Sequence, residues 1–154
     1  MEYRKDKRTK SLTLRDIHVG DWVQVWSDIT ERYSPPLKII QICDDGTIYL
    51  VTSDEERPTP WDENIKNVDA LLITPDLLKG FGFEIVKNDN QKDWYDVFYN
   101  ADYICELRKY SEGCELKIPF YCFEYFHEFI DGMCDDFPEM LNLEWKGIEK
   151  NRVE

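Results

Sequence analysis

The stretch LKIIQICDDGTIYLV, residues 37–51, decides the fold class of the amino-terminal half. Residues 37–43 and 47–51 are rich in isoleucine, leucine, valine and tyrosine, a composition that favours strands. The Asp44-Asp45-Gly46 run joins them, and an Asp-Gly pair tolerates the positive φ that a two-residue hairpin turn demands. We therefore predict an antiparallel hairpin.

A third strand precedes this hairpin. Residues 20–26, GDWVQVW, alternate so that Trp22 and Trp26 share one face with a glutamine, while two valines occupy the other. Three short strands with this start predict a small, strongly bent antiparallel sheet of SH3-like type. The proline-containing stretch 54–67 is predicted to be a loop, and residues 69–73 a short strand.

Helix signals and further strand patterns follow in the carboxy-terminal half. Thr74 can cap a helix, Pro75 suits its first position and Gly82 suits its end, which predicts a short helix near 75–81. Four segments separated by turn residues predict a meander of antiparallel strands. These segments are 83–86, 94–99, 103–108 and 114–118.

A second helix is predicted near 120–133 from apolar residues that recur at helical spacing. The apolar stripe comprises Cys122, Phe123, Phe126, Phe129, Ile130 and Met133, and the opposite face comprises Glu124, Glu128 and Asp131. Strands and helices in this order predict an α+β fold.

Charge divides the chain unevenly. Residues 1–15 hold six basic side chains against two acidic ones, a net of +4 in a chain of −13, so the remaining 139 residues carry −17. We predict a flexible basic arm over 1–11 and a single acidic α+β domain over 12–154. An acidic body repels phosphate backbones and membrane surfaces and favours cationic partners, although negative charge also serves solubility alone.

Other compositional features indicate the cellular setting. The longest apolar run is about four residues, far below the roughly 20 that span a bilayer, and no secretory signal follows the amino terminus. Five cysteines without a CxxC pair are typical of reduced cytosolic thiols. Hairpin registers that pair Leu107 with Leu116 or Ile118 also keep Cys105 and Cys114 apart. We expect a cytoplasmic protein without membrane association.

Several segments resemble a family of small proteins carried by phages and integrated elements of gut bacteria. The matching residues are LR at 14–15, VGDWV at 19–23, LITPDLLK at 72–79, GF at 82–83 and the aromatic helix ending at Gly132. The resemblance implies a mobile-element origin. The family has no known activity, so it implies no catalytic residues.

An enzyme that uses a metal or a thiol is one alternative function. The two histidines are His18 and His127, and Glu124, His127 and Asp131 would share a helix face that could hold a divalent ion. The competing interpretation of that face is a solvated surface. Cys122 would lie near a helix amino terminus, which can activate a thiol, but its place on the apolar stripe indicates burial instead. No cofactor motif occurs, and we expect no cofactor.

Nucleic-acid binding is another alternative. The basic arm could contact phosphates while Trp22, Trp26 or Trp61 stack on bases. The net charge of −17 on the body opposes this interpretation.

The leading hypothesis is a non-enzymatic accessory protein that binds a protein with a basic surface. No Lys or Arg occurs between Lys117 and Lys146, and a helix built for stability alone would interleave lysines. Glu124 with Glu128, and Asp131 with Asp135, would form repelling i, i+4 pairs. The predicted binding residues are Glu124, Glu128, Asp131, Asp135 and Asp136, together with Trp22 and Trp26. A sharper version is occupation of a basic nucleic-acid-binding groove by carboxylates in place of phosphates.

Overall fold

The computed structural model describes residues 9–52, 60–111, 113–118 and 121–147, without the side chains of Ile118 and Tyr121. The chain divides into two compact units, Met1–Leu72 and Ile73–Glu154, and the single domain over 12–154 stays a prediction. Each unit contains an antiparallel sheet, and the two α-helices of the described segments lie in the second unit. The predicted α+β class is confirmed.

Unit 1 is a six-stranded sheet in which every pairing is antiparallel. The strands are β1 (Trp22–Ser27), β2 (Arg32–Tyr33), β3 (Leu37–Ile42), β4 (Thr47–Val51), β5 (Trp61–Asn64) and β6 (Val68–Asp69). Their order is β2-β1-β3-β4-β5, and β6 pairs with β1; a 3₁₀ turn, Ile65–Asn67, joins β5 to β6. The sheet curls into a half-barrel, which confirms the predicted bent sheet.

The β3–β4 hairpin forms as predicted, but its turn is longer. The Cys43 N–H donates to the Thr47 carbonyl (2.9 Å), and the Gly46 N–H donates to the Cys43 carbonyl (3.1 Å). Three residues, 44–46, therefore separate the closing pair, instead of two. Gly46 has φ +93°, and a residue with positive φ at the end of a three-residue loop is what such a turn requires.

The end of the predicted loop 54–67 belongs to the sheet. β5 pairs with β4 through Leu50 opposite Trp61 and Thr47 opposite Asn64, while residues 53–59 lie outside the described segments. The open edge of β4 supplies the backbone partners, which the local pattern of a polar, proline-containing segment does not reveal. The predicted strand at 69–73 is shorter and shifted, since β6 is Val68–Asp69.

Residues 9–11 are attached to unit 1, so the flexible arm predicted over 1–11 is wrong at its carboxy-terminal end. The Thr9 hydroxyl donates to the Ala70 carbonyl (2.6 Å), and the Ala70 N–H donates to the Lys10 carbonyl (2.8 Å). Ser11 forms a bridge with Asp69. Hydrogen bonding to β6 and to the residue after it attaches this segment, although the segment lacks apolar periodicity. Residues 1–8 lie outside the described segments.

A buried polar network supports this attachment. The Tyr33 hydroxyl donates to the carboxylate of Asp69, which is fully buried, and accepts from the Thr9 N–H (2.6 Å). The Gln24 amide donates to the Ala70 carbonyl (2.9 Å). Burial, and then the hydrogen bond to Asp69, raise the pKa of Tyr33. Buried polar groups that satisfy one another in this way fix the local backbone arrangement.

Unit 2 is a five-stranded meander with two helices. The strands are β7 (Glu84–Lys87), β8 (Trp94–Tyr99), β9 (Asp102–Tyr110), β10 (Gly113–Ile118) and β11 (Tyr121–Phe123), and the helices are α1 (Pro75–Gly80) and α2 (Phe126–Met133). Sheet order follows chain order, β11-β10-β9-β8-β7. A 3₁₀ turn, Pro138–Asn142, follows α2. The predicted meander is confirmed, with β11 as an additional strand.

Helix α1 begins and ends as the sequence predicts. The Thr74 hydroxyl accepts from the Leu77 N–H (3.1 Å), and Pro75 is the first helical residue. Gly82 follows the helix with φ +98°. These features satisfy the free donors and carbonyls at the helix ends.

Helix α2 begins later than predicted. Residues 121–123 form β11, which pairs with β10 through Lys117 opposite Cys122 and Leu116 opposite Phe123, and the helix starts at Phe126. Aromatic residues two positions apart also fit the alternation of a strand, so the edge of β10 captures them. The prediction of one helix over 120–133 is therefore wrong for residues 121–125, and residue 120 lies outside the described segments.

The described part of the chain contains no helix with the length and apolar character that crossing a bilayer requires.

Candidate functional site

The carboxylates predicted to bind a partner surround α2. Glu124 precedes the helix, Glu128 and Asp131 lie within it, and Asp135 and Asp136 follow its last turn. Glu128 is half-buried and the other four are exposed. We call Glu124, Glu128, Asp131, Asp135 and Asp136 the acidic segment.

Buried aromatic residues fix the orientation of α2. The Phe126 ring stacks on Phe81 with centroids 4.4 Å apart, and the Phe129 ring lies 6.0 Å from Phe83. Ile130 is also buried, with 3% of its surface exposed. The apolar stripe is thereby confirmed within the helix, and Asp131 is directed outward because its neighbours on the stripe face inward.

The predicted i, i+4 repulsion does not apply to Glu124 with Glu128, because Glu124 lies outside the helix. Glu124 comes before its first residue, Phe126, and Asp135 comes after its last, Met133. Helical hydrogen bonds continue from Ile130 to Cys134 and from Met133 to Phe137, so repulsion between Asp131 and Asp135 stays a prediction.

The surroundings of the acidic segment remain acidic and include an exposed apolar side chain. Glu139 is half-buried and Glu144 is exposed, while the next cation along the chain is Lys146. Leu141, on the 3₁₀ turn, has 56% of its surface exposed. Carboxylates followed along the chain by an accessible apolar residue offer both charge and contact area to a partner.

The predicted metal face does not form. His127 is 2% exposed and lies on the inward side of α2, whereas Glu124 and Asp131 are exposed. These three residues, all of them described, do not bring ligand atoms within 4.8 Å of one another. The sequence spacing fails because it assumes that Glu124 is helical, and it starts the helix before Phe126.

The tryptophans predicted to bind are not accessible. Trp22 is 2% exposed and Trp26 is 4% exposed, and the Trp26 ring packs edge-on against Tyr33 at 4.9 Å between centroids. Curling of the unit 1 sheet directs this face inward, so neither ring can stack on a base. Trp61 is 42% exposed.

The thiols occupy different positions from those predicted. Cys122 is exposed on β11, four residues before α2, so its predicted places on a buried helical stripe and near a helix amino terminus are both wrong. Cys105 is buried on β9, and burial, followed by the nearby Glu106, raises the pKa of its thiol to about 12. Leu107 pairs with Leu116, one of the two expected registers.

A cluster that the sequence analysis missed lies on β8, β9 and β10. The Arg108 guanidinium lies over the rings of Trp94 (5.3 Å to the centroid) and Tyr110 (4.8 Å). The Tyr110 hydroxyl donates to Glu115 (2.6 Å), whose carboxylate also lies 3.6 Å from the Lys117 ammonium. Strand register brings Arg108 opposite both Trp94 and Glu115. The sequence could have revealed this cluster if the predicted strands had been paired and the residues on their outward faces compared.

No protein-family model matches this sequence, and searches of curated proteins and of solved structures found no significantly similar chain.

Proposed function

We propose that this protein is a non-enzymatic accessory protein that binds the basic surface of another protein through its acidic segment. The observation that carries the proposal is the exposure of four carboxylates, Glu124, Asp131, Asp135 and Asp136, around a helix anchored by buried phenylalanines. The anchored backbone limits the conformational entropy lost on binding, which favours affinity.

The charge of unit 2 indicates the kind of protein surface that the partner presents. Unit 2 holds nine basic and eighteen acidic residues, and the stretch between Lys117 and Lys146 contains no cation. A field of one sign steers an oppositely charged protein toward the surface and raises the association rate more than it raises affinity. The partner surface is therefore rich in Lys and Arg, with an apolar residue able to contact Leu141.

The proposal includes a narrower version that rests on the resemblance to proteins of phages and mobile elements. A protein of that origin in the cytoplasm would use carboxylates in place of phosphates to occupy the nucleic-acid-binding groove of a host protein. Arginine and lysine bind both groups through charge-assisted hydrogen bonds, so the same groove accepts either.

The experiment compares capture of partners from a lysate of the source organism by three forms of the full chain. The first is the wild type and the second is the triple variant Glu124→Lys, Asp135→Lys and Asp136→Lys. The third is a control that changes the charge equally at exposed positions of unit 2 outside the acidic segment. Its substitutions are Glu84→Lys, Asp89→Lys and Asp102→Lys.

We expect the wild type and the control to recover the same partner at low salt and to lose much of it at high salt. The acidic-segment variant should recover at least tenfold less, while circular dichroism and melting temperature show that it remains folded. Equal recovery by the two variants would show that only overall charge matters, and the acidic segment would then be a solvated surface.

A further inference from the structure

A basic cleft interrupts the acidic surface of unit 2. It has a volume of about 480 Å³ and lies where β8 begins and β9 ends. Its lining includes three cations, two tyrosines, one serine and one carboxylate. These are Lys92, Arg108, Lys109, Tyr95, Tyr110, Ser111 and Asp93. We call it the cationic cleft, and we propose that it binds a free nucleotide, with its phosphate on the cations and its base on a tyrosine ring.

Three basic residues line the cleft, and none of them forms an ion pair with a described residue. The structure gives Lys92, Arg108 and Lys109 no carboxylate within 4.0 Å in the described segments. Glu115 pairs with Arg108 across the strands, but its carboxylate binds the Tyr110 hydroxyl and Lys117 instead. The guanidinium donors of Arg108 are therefore available to an anion.

The fold holds the Arg108 side chain and the Lys109 backbone in place. Arg108 stacks on Trp94 and Tyr110, which restricts its guanidinium at the lining of the cleft. The Lys109 N–H donates to the Asp93 carbonyl (2.8 Å), and this bond joins the end of β9 to the residue that follows Lys92. A planar guanidinium in a fixed position binds phosphate oxygens in pairs, and lysines add point charges.

The aromatic residues and the size of the cleft define the rest of the ligand. Tyr95 and Tyr110 line the same cleft as the cations, and Tyr110 is 41% exposed. Stacking on such a ring binds any nucleobase. Small-molecule sites have volumes of roughly 300–1,000 Å³, a range that includes this cleft.

The neighbouring cavity favours a free nucleotide over a nucleic-acid strand. A second cleft of about 390 Å³ shares Tyr110 and Ser111 with the first and is also lined by Glu115 and Glu124. The next phosphate of a strand running that way would meet these carboxylates, and like charges in proximity repel. A mononucleotide binds in the cationic cleft without extending into the second one.

The test uses the uniformly ¹⁵N-labelled full chain, titrated with AMP and ATP at constant ionic strength and followed by amide chemical shifts. Inorganic phosphate, adenosine and a twelve-residue oligothymidine serve as comparison ligands. Lys92→Gln with Lys109→Gln removes two exposed cations of the cleft. Lys79→Gln with Lys87→Gln is the matched control, since these lysines are exposed in unit 2 and do not line the cleft.

We expect saturable shifts confined to residues 92–95 and 108–111, with ATP binding more tightly than AMP and both binding more tightly than phosphate or adenosine. The cleft variant should bind ATP at least tenfold more weakly than the wild type, and the control should equal the wild type. Absence of saturable shifts, equal binding by both variants, or equal affinity for AMP and phosphate would overturn the proposal. Tighter binding of the oligothymidine than of ATP would also overturn it, in favour of a strand.

Discussion

Individual side chains of the same type occupy contrasting environments, and the cysteines show this most clearly. Cys122 is exposed on β11, whereas Cys105 is buried on β9 with its pKa raised to about 12. The thiolate is the reactive form, so at pH 8 a thiol of this pKa is ionised in about one molecule in ten thousand.

We predict that an alkylating reagent at pH 8 modifies Cys122 within minutes and leaves Cys105 unmodified in the native protein. Peptide mass spectrometry after timed quenching measures both rates. The raised pKa also means that the contribution of Cys105 to stability is fully present below its unfolded pKa of about 8.5 and is lost as the pH rises toward 12. Comparable labelling of the two cysteines in folded protein would contradict the burial of β9.

Gly80 shows how one absent methyl group permits packing. A Cβ at this position would overlap the ring of Trp145, and the Lys146 N–H donates to the Gly80 carbonyl (2.8 Å). The Trp145 ring also packs edge-on against Phe81 at 5.1 Å between centroids.

We predict that Gly80→Ala destabilises the protein by about 1–3 kcal/mol, because displacing a packed ring costs more than the gain in helix propensity. Urea unfolding gives the change in free energy, and Lys79→Ala on the same helix is the control, since Lys79 is exposed. A stabilised Gly80→Ala variant would show that Trp145 does not pack against α1.

At the scale of elements, the structure differs from the sequence pattern at the boundary between β11 and α2. The pattern places Cys122 and Phe129 on one buried helical stripe, whereas the structure exposes Cys122 and fully buries Phe129. We predict that Phe129→Ala costs about 3–5 kcal/mol and that Cys122→Ala costs close to nothing. Chemical denaturation of the two variants measures both changes in the free energy of unfolding. A similar loss of stability in both variants would support the longer helix predicted over 120–133.

A pair of truncations tests the attachment of residues 9–11. Deleting residues 1–11 removes the hydrogen bonds that Thr9 makes with Tyr33 and Ala70 and the bridge of Ser11 with Asp69. Deleting residues 1–8 retains them. We expect the longer deletion to melt at a temperature several degrees lower than the shorter one, because it leaves buried polar groups unsatisfied. Identical melting temperatures would show that residues 9–11 contribute nothing to unit 1.

Elements defined by local signals were predictable from the sequence. The turn at residues 44–46 and the Thr74 cap each depend on residues adjacent in the chain. The hairpin and α1 were therefore predicted close to their observed bounds. Elements that depend on pairing with another strand were not predictable in this way. β5 needs the edge of β4, and β11 needs the edge of β10.

The same distinction applies to the candidate site. The exposure of Asp131 follows from helix periodicity, and that of Asp135 and Asp136 follows from their charge. The burial of Trp22 and Trp26 follows from sheet curvature, which alternation along one strand does not show.

For the whole molecule, the decisive property is the distribution of charge. Unit 1 holds ten basic and fourteen acidic residues, a net of −4, and unit 2 carries −9. Within unit 2 the cations Lys92, Arg108 and Lys109 line one cleft, and the acidic segment around α2 lies outside it. The two surfaces would therefore bind ligands of opposite sign, and they approach each other where Glu124 lines the second cleft beside Tyr110 and Ser111.

Screening by salt provides a way to distinguish a charged surface that binds a partner from one that is only solvated. Attraction between exposed charges decays over about 10 Å at 0.1 M salt and about 3 Å at 1 M. If the acidic segment steers its partner, added salt slows association strongly and changes dissociation little. Charge that serves solubility alone produces no such dependence for a specific partner.

The most direct test is the association rate constant between the purified partner and the full chain, measured by surface-based kinetics across a series of salt concentrations. We predict a steep fall with salt for the wild type. The Glu84→Lys, Asp89→Lys, Asp102→Lys control should keep most of that dependence, and Glu124→Lys, Asp135→Lys, Asp136→Lys should reduce the low-salt rate at least tenfold. A rate that does not depend on salt, or one reduced equally by both variants, would contradict binding through the acidic segment.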